Sequence, residues 1–240
     1  MMFKEKTLTE RDIELIREKY KEDLEEQIKK VKENYPVQYL IGNVDFLNTN
    51  ILVNENVLIP RFETEYLCEK ILQKIDKTAS FNCLDIGTGS GCIAIILAKN
   101  TKCKVTGIDI SKSALKVAKE NSIRNTVSIK LIQKDILTGE LEENYDIIIS
   151  NPPYVDKLET VDETTKYEPQ NALFAEHNGL IFYEEILKKI KNKPKLIAFE
   201  IGEKQGNTIL NLAKKKFPEA KITLEKDLCK KDRYIFIEQE

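Results

Sequence analysis

Phe81-Asn82-Cys83-Leu84-Asp85-Ile86-Gly87-Thr88-Gly89-Ser90-Gly91-Cys92-Ile93-Ala94-Ile95-Ile96-Leu97-Ala98-Lys99 is the stretch that decides the fold. Residues 81–86 read as a strand, Gly87 to Gly91 as a tight turn and residues 92–99 as a helix. Glycines let the backbone turn sharply and come close to a ligand. Downstream, strand and helix patterns alternate. Strands are expected over 104–110, 127–133, 145–150, 195–201, 220–225 and 233–238, and helices over 111–124, 179–190 and 204–216. This order predicts a mostly parallel sheet of seven strands with helices on both faces. The last two strands have no helix between them, so one antiparallel strand is expected, at the sheet edge.

A glycine loop of this kind serves NAD, FAD and S-adenosylmethionine alike. Three acids narrow the reading. Asp85 precedes the glycines, where it would attract the cationic methionine end of a sulfonium cofactor and repel a pyrophosphate. Asp109 ends the next strand and suits two ribose hydroxyls. Asp135 closes the third strand, where it can accept from an adenine amino group.

Asn151-Pro152-Pro153-Tyr154 follows the fourth strand. Two prolines cannot continue a ladder, because neither has an N–H to donate. The strand stops at the sheet edge where open α/β folds bind ligands. Asn151 brings an acceptor and a donor, Pro152 a carbonyl of fixed geometry, and Tyr154 a π face. Such a site suits a flat, planar nitrogen group.

Composition removes other classes. The net charge of −2 gives no global basic field for nucleic acid. Five cysteines without a C-x-x-C pair argue against a disulfide framework and a zinc site. His177 is the single histidine, which disfavours a His-based metal centre or a Ser-His-Asp triad, and no metal is expected. The longest apolar run, 93–98, is too short for a membrane span. Residues 1–9 are charged and lack an apolar signal core, consistent with a cytoplasmic protein.

Upstream, residues 9–33 read as one long helix, with Thr9 and Asp12 forming a capping box. Ile13, Ile16, Tyr20, Leu24, Ile28 and Val31 form its apolar stripe. Pro36 ends it, and residues 36–60 alternate as a small hairpin turning at Asn48-Thr49-Asn50. The division is 1–35 as a short helical segment, either a solvated helix packed on the main domain or a surface for partner docking, 36–60 as a linker hairpin, and 61–240 as the catalytic domain.

Taken together, Asp85-Ile86-Gly87-Thr88-Gly89, Asp109, Asp135 and Asn151-Pro152-Pro153-Tyr154 resemble class I S-adenosylmethionine-dependent methyltransferases, of Rossmann-like fold. Further stretches narrow the resemblance. They are Pro36-Val37-Gln38-Tyr39-Leu40-Ile41-Gly42, Leu58-Ile59-Pro60-Arg61-Phe62-Glu63-Thr64-Glu65, Glu168-Pro169 with Ala172-Leu173, Gly179-Leu180 with Phe182-Tyr183, and Glu200-Ile201-Gly202 with Gln205. All look like the release-factor glutamine N5-methyltransferases. Phe62 departs from that pattern, which has proline there. A second departure is the N-terminal helical segment, which is longer in family members.

The resemblance implies a substrate, the glutamine of the Gly-Gly-Gln loop in peptide chain release factors, and a cofactor, S-adenosyl-L-methionine. It implies that Gly87, Thr88, Gly89, Ser90, Gly91, Asp109 and Asn151 bind the cofactor, and that Asn151, Pro152, Pro153 and Tyr154 bind the glutamine. Asn151, Pro152 and Tyr154 would carry catalysis by holding the target amide in plane. A monomer without direct nucleic-acid contact is expected. The competing expectation is an N6-adenine methyltransferase acting on DNA or RNA, whose exocyclic amine presents the same planar group.

Overall fold

The computed structural model describes residues 8–239; the charged start of the chain at residues 1–7 lies outside them. The first elements are α1 (Glu10–Lys19), α2 (Leu24–Lys32), α3 (Val37–Ile41), β1 (Asn43–Asp45) and β2 (Asn50–Leu52). The expected capping box is present: Thr9 accepts from the Asp12 backbone and Asp12 accepts from the Thr9 backbone. The single helix expected over 9–33 is instead two. Folding at Tyr20 brings Ile16 and Val31 together in one small core with Val37 and Leu40. A straight helix would leave that stripe uncovered. The turn is held by Lys19 and Tyr20, which donate to the Leu40 carbonyl at 2.9 and 3.2 Å. Residues 37–41, expected to be extended, form α3, and Gly42 stops it with φ of 87°. The hairpin itself forms as expected, with Val44 opposite Ile51.

The rest comprises α4 (Phe62–Lys74), β3 (Asn82–Ile86), α5 (Cys92–Asn100), β4 (Lys104–Asp109), α6 (Lys112–Arg124), β5 (Ile129–Gln133) and β6 (Ile147–Ser150). There follow β7 (Val155–Asp156), β8 (Phe174–Ala175), α7 (Glu176–Gly179), α8 (Ile181–Lys189), β9 (Leu196–Glu200), α9 (Gly206–Lys216), β10 (Lys221–Lys226) and β11 (Asp232–Glu238). α7 is a single irregular turn in which His177, Asn178 and Gly179 all take positive φ. The polar connection over 155–178 is not featureless, because β7 and β8 pair in parallel within it.

Seven strands form one sheet in the order β10-β11-β9-β6-β3-β4-β5. One strand, β11, runs antiparallel to both neighbours. It is interior rather than at the edge where the sequence put it, and Tyr234 to Ile237 are wholly buried. Its consecutive apolar side chains, Tyr234 to Ile237, point to both faces and need cover on each, and an interior position supplies it.

Successive residues point to opposite faces. Cys83, Ile147 and Ala198 face α4, α5, α6 and the hairpin, whereas Leu84, Ile148 and Ile197 face α8 and α9. The chain winds outward from β3 through β4 to β5, then returns to β6 on the other side of β3. The crevice between β3 and β6 is therefore the topological switch point, where open α/β sheets bind ligands. No helix among the described residues is long and apolar enough to cross a membrane.

Candidate functional site

The glycine loop leaves β3 at Ile86. The Gly87 and Thr88 N–H groups both donate to the Ile108 carbonyl at 2.9 Å, which fixes the loop to β4. Gly87, Gly89 and Gly91 have φ of 73°, 54° and 81°, values that strain any L side chain. A Cβ on Gly87 would meet nothing nearer than the Asn151 carbonyl at 4.0 Å, and one on Gly89 nothing nearer than 3.9 Å. These two glycines keep space open. Gly91 differs, because its Cβ would come within 3.1 Å of Ala118. It is there so that α5 can approach α6.

Asp85 is wholly buried and accepts from the Thr88 hydroxyl at 2.7 Å. Its second oxygen makes no hydrogen bond of ordinary geometry among the described residues. Burial pushes its pKa up to about 7. Asp109 accepts from the Gly89 and Ser111 N–H groups at 2.9 and 2.8 Å, and burial raises its pKa. Asp135 accepts from the Leu137 N–H at 2.8 Å and the Thr138 hydroxyl at 3.0 Å. Each carboxylate oxygen keeps a spare lone pair.

Asn151 follows β6 and lies beside the glycine loop. Its Nδ2 donates to the Thr64 hydroxyl oxygen at 2.9 Å, and Thr64 donates in turn to Glu200 Oε2 at 2.7 Å. Tyr154 turns its hydroxyl to Glu200 Oε1 at 3.3 Å, with Arg233 at 3.5 Å. Burial, followed by the nearby Glu200 carboxylate, raises the Tyr154 pKa. The loop is clamped from behind by Gln205. This side chain donates to the Tyr154 carbonyl at 2.9 Å and the Asn178 carbonyl at 3.0 Å, and accepts from the Gly202 N–H at 2.9 Å. Gly179 is needed because a Cβ there would lie 2.1 Å from the Tyr154 carbonyl.

A cavity of about 410 Å³ opens over this edge of the sheet. It brings together Gly87, Gly89, Asp109, Asp135, Asn151, Pro152 and Pro153, with Ile108, Ile110, Ile136 and Leu137 as apolar walls. Asp85, Thr88, Ser90, Gly91 and Tyr154 do not line it. The outer wall is residues 56–58 and the segment from Pro169 to Glu176. The two parts of that wall are latched by buried Glu168, which accepts from the Ile59 N–H at 3.0 Å and pairs with Arg61.

Comparison with known proteins decides the family. Residues 64–173 match the Methyltransferase small domain. A release factor glutamine methyltransferase of Lactococcus lactis is 40% identical over 236 residues, covering 94% of this chain and 87% of its own. One from Flavobacterium psychrophilum is 43% identical, covering 85% and 76%. The chain belongs to the release factor glutamine methyltransferase family. It is a methyltransferase enzyme of class I fold. A solved methyltransferase from Pyrococcus furiosus shares that fold at TM-score 0.58 and 20% identity, covering 79% of this chain and 88% of its own.

Within this family frame, the geometry adds residues that the sequence reading did not assign a role. Thr64 and Glu200 hold Asn151. Asn121, wholly buried, mimics a strand partner for Leu52, accepting from its N–H at 2.7 Å and donating to its carbonyl at 3.0 Å. Asn121 also donates to the Ser90 carbonyl at 2.9 Å, tying the hairpin to the glycine loop. Gly107 makes room for Thr88, whose hydroxyl would lie 2.8 Å from a Cβ there. A glycine inside a predicted strand was the only available signal for it.

Proposed function

We propose that this protein transfers a methyl group from S-adenosyl-L-methionine to the N5 amide nitrogen of the glutamine in the Gly-Gly-Gln loop of release factors. One observation carries the reading: Asn151, Pro152 and Pro153 line the same cavity as Gly87, Gly89 and Asp109. A cofactor loop and a planar-nitrogen clamp thus share one space. The site fits the cofactor. Gly87 and Gly89 leave a cradle open, and Asp109 and Asp135, which line the same cavity, keep spare acceptor capacity.

When bound, the cofactor supplies an electrophilic methyl: the amide nitrogen takes it, the carbon–sulfur bond breaks, and the thioether leaves. The chain supplies orientation. Asn151 Oδ1 and the Pro152 carbonyl accept the two N–H bonds of the target amide, fixing its plane. They favour the charge that builds on nitrogen as its lone pair leaves conjugation. Orientation of this kind is worth up to about 7–11 kcal/mol in well-aligned systems. Water takes the proton, which becomes acidic once the nitrogen is alkylated.

The N-terminal helices, with Glu55 and Tyr167, form a second cavity of about 450 Å³, lined also by Tyr20, Tyr35 and Tyr39. In this reading residues 1–35 dock the release factor, residues 36–60 link, and residues 61–240 catalyse, in a cytoplasmic monomer. The rival reading, an adenine methyltransferase, is not favoured, because the relatives at 40 and 43% identity are named for release-factor glutamine.

The test offers labelled S-adenosylmethionine with an unmodified release factor, its Gly-Gly-Ala variant, and unmethylated DNA. Label in the intact factor alone is expected. Label in DNA, or equal label in the alanine variant, would overturn the proposal.

A further inference from the structure

An asparagine amide can present either its oxygen or its nitrogen to a ligand, and the two are nearly the same shape. Only the oxygen can accept an N–H from a substrate amide. Something must therefore choose the face. In this protein the choice is made by a chain of two hydrogen bonds that leaves the cavity and ends on a buried acid. Thr64 is 3% exposed and Glu200 1%. Thr64 has a single hydroxyl proton, and that proton goes to Glu200 at 2.7 Å. Its oxygen can then only accept from Asn151, which it does from Nδ2 at 2.9 Å. The amide nitrogen is held inward and Oδ1 is left as the acceptor.

We propose that Thr64 and Glu200 are positioning residues that set the polarity of the Asn151 amide, so that its oxygen meets the target N–H. This rests on the reading of Asn151 as a clamp for the substrate amide.

The chain is directional only while Glu200 is ionised. A protonated Glu200 can donate to Thr64, Thr64 can then donate to Asn151, and the amide turns over to present Nδ2. The surroundings make this exchange accessible near neutrality. Glu63, Thr64 and Cys68 face Glu200 from α4, Cys92 from α5, Tyr154 from the loop after β6, Tyr183 from α8, and Arg233 and Tyr234 from β11. Arg233 is the one cation in that set. It is engaged elsewhere, donating to Asp227 at 3.3 Å and the Ile201 carbonyl at 2.9 Å. Burial dominates, and the Glu200 pKa is pushed up to about 7.

The experiment is steady-state methylation of an unmodified release factor by the full chain, as wild type, Thr64→Val, Thr64→Ser and Glu200→Gln, from about pH 6 to about pH 8.5. Cofactor affinity is measured in parallel by calorimetry. Thr64→Val keeps the shape and removes the relay. We expect it to lower kcat ~10–100-fold, the cost of one misdirected buried hydrogen bond, with cofactor affinity nearly unchanged. Thr64→Ser restores the hydroxyl and should return kcat to within about threefold of wild type. Wild-type kcat should fall as pH drops below about 7, and Glu200→Gln should flatten that limb. An active Thr64→Val, a Thr64→Ser as poor as Thr64→Val, or an acid limb that survives in Glu200→Gln overturns the inference alone. No transfer by the wild type overturns the proposed function, and this inference with it.

Discussion

Ser150 donates its hydroxyl to the Ile86 carbonyl at 2.8 Å, across the last rung where β6 pairs with β3. Both strands end level at that buried bond. Gly87 and Asn151, each the next residue, therefore start from neighbouring points. Two motifs distant in sequence become one site because parallel register puts their strand ends side by side.

Asn151 lines the cavity with one amide face committed to Thr64. Replacing it with alanine removes the free acceptor without touching the glycine loop. Asn151→Ala should lower kcat ~10²–10³-fold, the usual cost of one preorganised polar contact to a developing charge. Cofactor affinity should stay within a few-fold, read by single-turnover methylation and calorimetry. Undiminished turnover would remove Asn151 from the mechanism.

Gly89 and Gly91 both have left-handed φ, yet only Gly91 is crowded. Each alanine variant should lose about 1–2 kcal/mol from backbone strain. Gly91→Ala should lose more, from contact with Ala118, while Gly89→Ala should lose cofactor affinity because its methyl enters open space. Chemical denaturation alongside cofactor titration separates the two. Identical profiles would contradict the assignment of separate roles.

Asp85 and Glu200 are buried carboxyls whose pKa values stand at about 7 when folded. A carboxyl raised in the folded state holds its proton more tightly there. Its stabilising contribution is present below the unfolded pKa, near 4, and is lost as pH rises through the folded value. Stability without cofactor should therefore decline as pH rises from about 4 to about 7 and level off above that. Asp85→Asn should decline less over that range. Thermal melts at both ends test this, and parallel behaviour of the two proteins would exclude Asp85 as a source.

Glu168 is 3% exposed and depends on Arg61 and the Ile59 N–H. Arg61→Ala would leave a buried carboxylate short of its cation. The partly exposed arginine limits the loss to about 1–3 kcal/mol. Because the latch joins both parts of the cavity's outer wall, KM for the release factor should rise more than kcat falls. Unchanged stability and KM would show that the latch bears nothing.

The glycine loop, the acids at the ends of β3 and β4, Asp135 shortly after β5, and the proline stop after β6 were legible because each is a local pattern. Thr64 and Glu200 stood only inside stretches that carry the family resemblance, with no role attached. Their roles depend on contacts across 87 and 136 residues of chain, and threonine and glutamate carry no periodic signal of such pairing. Gln205, Gly179 and Glu168 were visible only as parts of a resemblance. Their physical reasons, a clamp, a close crossing and a latch, exist only once the loops meet. Tyr154 was read by its ring, whereas the structure uses its hydroxyl on Glu200. The break at Tyr20 was missed because two short helices and one long helix show the same apolar stripe.

The interior position of β11 also sets an order of assembly. Its backbone bonds complete both β9 and β10, and it brings Arg233 against Tyr154 and the Tyr234 hydroxyl to the Glu63 carbonyl at 2.9 Å. Of all the sheet strands it is the last to be synthesised. A nascent chain can wind the glycine loop and the proline stop early, but the wall behind Asn151 stays unfinished until residue 238 has emerged. The site thus becomes competent only after the strand that follows β10 has been made.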